Sequence, residues 1–261
     1  VSKPSAVTIG TGNLASHFIP AFTKSSHVNI KQCLGRIPPE EFHNSYGTNI
    51  NYSSNLSQIE KQVDFLFLMV NDGALAAITK ELSSLISTKT CVVHFSGASS
   101  LALIDEYFTS TACLWPVSSI SSKDQSLDLS MVPVCLNSTS MTHGQVLAEM
   151  SKDIFQEVYE VSEEEKSLLH LGAVVVNNFT NHLYHQTAKI LEDKGLDFDI
   201  LKPIIMQTAS KILKNAPSKM QTGPAIRGDQ ETLLKHHHLL ANRPELLTIY
   251  QQLSESIINN S

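Results

Sequence analysis

The sequence has no apolar run long enough to cross a bilayer. The longest, Phe65 to Val70, is a fraction of the length a membrane helix needs. No signal-type segment stands ahead of Ala6. Basic residues are in the minority, 19 Lys and Arg against 25 Asp and Glu, for a formal charge of −6. That balance argues against nucleic acid or an anionic membrane as the main partner. Cysteine is sparse and never in CxxC spacing. Cys33, Cys91, Cys113 and Cys135 sit in or beside runs that read as buried strands, which predicts reduced core residues rather than disulfides or a metal site. No Tyr precedes a Lys at YxxxK spacing, so one common reductase signature is missing. These absences predict a soluble protein of a reducing compartment, the cytoplasm.

What is present is an alternation. Up to Val161 short apolar runs trade with helical stretches, and the strand candidates are Ala6–Ile9, Val28–Leu34, Val63–Val70, Thr90–Phe95, Thr111–Trp115, Val132–Leu136 and Glu157–Val161. Amphipathic segments such as Ala15–Thr23, Ala74–Leu85 and Gln145–Ile154 lie between them. This pattern predicts a mostly parallel sheet covered on both faces. After Val161 strands stop. Ser162 followed by Glu163-Glu164-Glu165 forms a helix start, and the helix it opens is predicted to reach about Lys194 and close at Gly195. Further helices are expected near 200–215, 230–241 and 244–258. The expected fold is α/β: an N-terminal Rossmann-type domain over 1–161 and an all-helical domain over 162–261, for substrate and dimerisation.

The densest motif is Gly10-Thr11-Gly12-Asn13-Leu14-Ala15, a GxGxxA turn between the first strand and the first helix. The first Gly permits a tight turn. The second lets backbone approach a pyrophosphate, and the small Ala lets helix pack on strand, while the helix N-terminus offers free N–H groups. An NAD or FAD site usually places an acid at the end of the second strand. Here that strand ends Cys33-Leu34-Gly35-Arg36, with no acid before Glu40. Arg36 suits a 2′-phosphate, so NADP is the expected cofactor; a solvated loop role is the alternative.

Ligands of such sheets lie beyond the strands' carboxyl ends. Val70 and Asn71 are therefore cofactor candidates, with Asp72 expected to cap the following helix. Ser96 and Gly97 leave the next strand, where Ser96 faces either the nicotinamide end or a plain turn. Trp115-Pro116 reads as a wall or a rigid turn.

Between Ser167 and Ala188 there is no Asp, Glu, Lys or Arg, yet His170, Asn177, Asn178, Asn181 and His185 fall within roughly a 100° arc of an ideal helix. Leu168, Val175, Phe179 and Leu183 take the opposite side. An uncharged polar stripe suits a cleft, a subunit contact or a hydrogen-bonded seam between domains. In the stretch Thr222 to Asp229, Asp229 is expected to cap a helix and Arg227 to hold a substrate carboxylate or pair with Asp229. His236-His237-His238 are consecutive on a helix, point about 100° apart and are not expected to bind metal.

These motifs resemble a known group. The Gly10–Ala15 turn, Gly35-Arg36, His94-Phe95-Ser96-Gly97 and Thr222-Gly223-Pro224-Ala225-x-Arg227-Gly228-Asp229 are similar to a Rossmann-like family with a C-terminal helical domain of unknown function. Its members are described as NADP oxidoreductases, akin to deazaflavin-dependent NADP reductases and pyrroline-5-carboxylate reductases. The resemblance implies an NADP-binding domain, a helical domain that often dimerises, and a small-molecule substrate. Pyrroline-5-carboxylate reductases also carry a Gly-Pro-Ala step but place it differently relative to the sheet, so proline synthesis is not carried over. The expected activity is hydride transfer between NADPH and a small imine, carbonyl or deazaflavin. Ser96, His170 and Asn178 are placed at the reacting end, with Asn181 and Arg227 toward substrate. His170 is the first choice for proton transfer. The alternative is a non-catalytic NADP sensor acting through its helical domain.

Overall fold

The computed structural model describes residues 3–47 and 49–260. Strands β1 (Ser5–Ile9), β2 (Asn29–Leu34), β3 (Tyr52–Ser53), β4 (Phe65–Leu68), β5 (Cys91–His94), β6 (Thr111–Pro116), β7 (Val134–Ser138) and β8 (Val158–Glu160) form one sheet in the order β3-β2-β1-β4-β5-β6-β7-β8. All neighbours run parallel except β6 and β7. Strand order reverses at β1, which has β2 on one side and β4 on the other; this is the switch point where ligands of doubly wound sheets bind.

Successive strand residues point to opposite faces, and the sequence fills both. Phe65 and Phe67 join one core while Leu66 and Leu68 join the other. The first core lies under α1 (Asn13–Lys24), α2 (Pro39–Tyr46) and α5 (Met141–Lys152). The second lies under α3 (Leu75–Leu82) and the short α4 (Ala102–Asp105). Phe22 stacks on Phe67 at 4.9 Å, and Phe18 meets Phe95 edge-on at 5.3 Å, which seats α1 on the sheet. All four cysteines are free and buried, and burial pushes the thiols of Cys33 and Cys91 up to about 11.

The chain then enters a long helical stretch: α6 (Glu163–Ala173), a π-helical segment (Val174–Phe179) and α7 (Thr180–Glu192). Ser162 caps α6 in a reciprocal capping box with Glu165. Gly195, at φ +67, follows α7. Then come α8 (Lys202–Ile212), α9 (Gln230–Leu239) and α10 (Pro244–Asn259). Asp229 caps α9 by accepting from the Thr232 N–H and hydroxyl.

Two compact units result, Val1–Asn178 and Phe179–Ser261. The division falls after Asn178 rather than at Val161, where strands give way to helices, because α6 packs with the sheet. Two local expectations need correction. Asp72 does not cap α3: it lies inside a 3₁₀ turn, Asp72–Ala74, and Ala74 holds the cap position with no side-chain bond. The helix expected from Ser162 to about Lys194 is not of one pitch: the segment Val174–Phe179 is π-helical, so an arc drawn at about 100° per residue does not carry across it.

Candidate active site at the carboxyl ends of the strands

The turn after β1 is shaped by close approach. Gly10 donates its N–H to the Leu34 carbonyl at 2.8 Å, and Met69 donates to Ile9 at 2.7 Å, so the turn is wedged between β2 and β4. Gly10 has φ +117, and a Cβ there would lie 2.1 Å from the Met69 carbonyl oxygen. Glycine is required by the fold at this point. Gly12 differs: a Cβ there would meet nothing within 4 Å. It holds the cap position of α1 without a side-chain bond, and Gly12, Asn13 and Leu14 border a cavity. That is the geometry of an anion site, with the dipole of a three-turn helix behind it.

Thr11 packs over Gly35, where a Cβ would lie 2.4 Å from its methyl. Ala15 is fully buried and Leu14 leans on the core. Arg36 stands exposed just past the end of β2. Asn13 also reaches sideways: its Oδ1 accepts the Ser122 N–H at 3.1 Å, while His17 Nε2 meets the Ser121 carbonyl at 2.9 Å. The 118–122 loop is thereby strapped to the first turns of α1, which sequence reasoning missed.

A cavity of about 380 Å³ opens beside the turn, lined by Gly12, Asn13, Leu14, Val70, Asn71, Ser96, Trp115, Ser118 and neighbours. A second cavity, of about 1020 Å³, is lined by Trp115, Ser118, Glu165, His170, Asn177, Asn178 and apolar side chains of α6 and the π-segment. Trp115 and Ser118 belong to both. The indole is thus a shared wall rather than a bystander. Its ring meets His170 at 5.5 Å, edge to face. Gly97 makes that contact possible, since a Cβ there would lie 2.5 Å from Trp115 Cε2 and 2.7 Å from His170 Cδ2.

The loop beneath is rigidly wired. Ser96 Oγ accepts from the Ser99 N–H at 2.9 Å, so the turn-capping role of Ser96 is real, although Ser96 also lines the smaller cavity. Ser96 N–H donates to His94 Nδ1 at 3.2 Å, and the Cys113 thiol donates to the Ser96 carbonyl. Burial, aided by the positive charge of Lys166, lowers the His94 pKa to about 3. Burial pushes the Cys113 thiol up to about 12. Both side chains are neutral supports.

The comparisons with known proteins agree with this architecture. Residues 132–257 match the family model described as a domain of unknown function, DUF2520. A search of curated proteins gave no match. Among solved structures, the chain is similar to a candidate NADP oxidoreductase from Bacteroides fragilis, at 26% identity and TM-score 0.86 over 98% of both chains. The chain has the fold of the NADP oxidoreductases. It also shares its fold with a 1-pyrroline-5-carboxylate reductase from Streptococcus pyogenes (14% identity, TM-score 0.64, 97% of this chain and 99% of that one). A Streptomyces aurantiacus imine reductase matches likewise (10%, 0.66, 97% and 95%).

Within that fold, the structure brings Gly12, Asn13, Leu14, Val70, Asn71 and Ser96 to one cavity, and His170 with Asn178 to the adjoining one. Gly97 lies under the contact between Trp115 and His170. Asn181, Arg227 and the 222–229 loop belong to the second unit, where Gly223 and Gly228 take positive φ and Arg227 is exposed. The Arg227 charge helps lower the Asp229 pKa, after the Thr232 hydrogen bonds. The signal for Trp115 was available as the chain's single tryptophan at a strand's end. Lys166, by contrast, carries no motif.

Proposed function

We propose that the chain is an NADP-dependent oxidoreductase transferring hydride between NADPH and a small imine or carbonyl substrate, a deazaflavin being the other acceptor to test. The observation that carries this reading is the meeting of an open glycine turn at a helix N-terminus with a larger, mostly apolar cavity across the Trp115 wall. Hydride transfer needs a cofactor held by its phosphates and a drier chamber beside its reactive ring. The N–H groups at Gly12 and the first turn of α1 fit a pyrophosphate, since nothing fills the space a Cβ would take. Gly10, Thr11, Leu14 and Ala15 shape that turn. The names of the neighbours support a nicotinamide cofactor, and Arg36 without a nearby acid favours NADP over NAD.

Val70, Asn71, Ser96 and Gly97 flank the nicotinamide end in this reading. His170 moves the proton and Asn178 orients the reacting group. Asn181 and Arg227 are assigned to substrate contact. The protein works in the cytoplasm as a homodimer formed through its helical domain. The domain boundary in this reading stays at the start of α6, with 1–161 serving the cofactor and 162–261 the substrate.

Titration calorimetry tests the cofactor. NADPH is expected to bind at least about tenfold more tightly than NADH, as one charge-assisted phosphate contact allows, and Arg36→Ala to erase most of that difference. Equal affinities in the unaltered protein would remove NADP. NADPH consumption over a panel of imines, oxo acids and a deazaflavin tests the enzyme; tight binding without turnover anywhere on the panel would favour the sensor.

A further inference from the structure

Lys166 is the one lysine buried among the described residues, at 1% exposure. An ammonium taken out of water is costly unless its donors are matched. Here Nζ donates to the Ser99 carbonyl and pairs with Glu163 Oε1 at 2.9 Å. The other oxygen of Glu163 accepts from Asn137 Nδ2 at 3.1 Å. One ammonium therefore ties together α6, the loop after β5 and, through Glu163, β7. Facing it from β5 and β6 are His94 and Cys113, both kept neutral by burial. Stability alone does not account for such a group, because apolar side chains of similar volume often replace buried ion pairs at no loss.

The position of Lys166 does account for it. Ser99 closes the same turn that holds Ser96 and Gly97, and His170 stands one helical turn beyond Lys166 on the same side of α6. His170 meets the loop again at Gly97.

We infer that Lys166 is a positioning residue: its ammonium fixes α6 on the Ser96–Ser99 loop and so holds His170 and Trp115 in contact over Gly97. The consequence for turnover rests on the proposed reductase function; the geometric consequence does not. Tight packing at Gly97 leaves the His170 ring little room to slide once the clamp is set.

The test is NMR of the full chain. In the unaltered protein the Gly97 Hα and His170 ring protons are expected to carry ring-current shifts from Trp115, whose ring lies against both. Lys166→Met is expected to abolish most of those shifts while the protein still unfolds cooperatively, and Lys166→Arg to restore them in part. A Lys166→Met protein with unchanged shifts and only a lower Tm would overturn the inference. If Lys166→Met does not fold, Glu163→Gln decides in its place: altered Gly97 and His170 shifts support the clamp, and unaltered ones overturn it. Where the panel yields a substrate, Lys166→Met is expected to lower kcat about tenfold or more with the KM for NADPH unchanged, the signature of a misplaced reacting group. Absence of turnover in the unaltered protein would sink the reductase reading and leave the NMR result to judge the clamp.

Discussion

His94 shows how much one side chain can be shaped by its surroundings. It sits at the end of β5, wholly buried, and accepts the Ser96 N–H through Nδ1, which places its proton on Nε2. Its pKa in the folded chain is about 3 against 6.5 for the free side chain. The unfolded chain therefore binds a proton on His94 between those values and the folded chain does not. Stability is fully present above pH 6.5 and is lost progressively as pH falls toward 3. Between pH 7 and pH 5 the loss is about 2 kcal/mol, from 1.36 kcal/mol per pH unit. Urea unfolding at the two pH values, set against His94→Gln, checks it: the variant is expected to lose markedly less, and an equal loss in both would contradict a neutral His94. The sequence displayed His94 beside Ser96, but its tautomer depends on an N–H two residues on. Lys166 was wholly silent, since a lysine three residues into an acidic helix start reads as solvated.

At the scale of the element, the β1–α1 turn was legible because each of its glycines obeys a spacing rule, yet the structure separates their duties. Gly10 is pressed on the Met69 backbone; Gly12 faces open space. Gly10→Ala is accordingly expected to destabilise the fold by about 1–3 kcal/mol or more, through overpacking and a strained positive φ. Gly12→Ala is expected to leave stability within about 0.5–1 kcal/mol and to weaken NADPH binding. Thermal unfolding and calorimetry on both variants check the pair, and Gly12→Ala with full NADPH affinity would speak against a pyrophosphate at the turn. The start and close of the helical stretch were also legible, in the Ser162 N-cap with its first-turn acids and in Gly195. Its π-segment was not, because a wheel drawn at constant pitch has no way to register a wider turn, and Val174-Val175-Val176 gives no warning of one.

For the whole molecule, a mostly parallel sheet was legible in the alternation of strands and helices, whereas the apolar surface of the second unit was not. Among its described residues only Ala225, Leu233 and Leu240 are buried hydrophobics, and α7, α8 and α10 hold half-buried side chains but no fully buried one. Ile200, Ile204, Met206 and Leu213 stand 59% to 85% exposed. Withdrawing each such side chain from water contributes about 1.5–3 kcal/mol, which a second copy of the chain could supply. Light scattering is expected to give about twice the 28.7 kDa of one chain. Ile204→Glu is expected to lower that mass or the unfolding temperature, and a monomer at micromolar concentration would remove the dimer. No helix of the described residues is long and apolar enough to cross a membrane.

The wall between the two cavities has an optical consequence. The indole of Trp115 is the chain's only one, and tryptophan emits where reduced nicotinamide absorbs and oxidised nicotinamide does not. A reduced cofactor seated beside that wall would drain its fluorescence by resonance transfer, while the oxidised form would leave the transfer channel dark. Each turnover would then be readable from the protein's own emission, without a dye or a coupled assay.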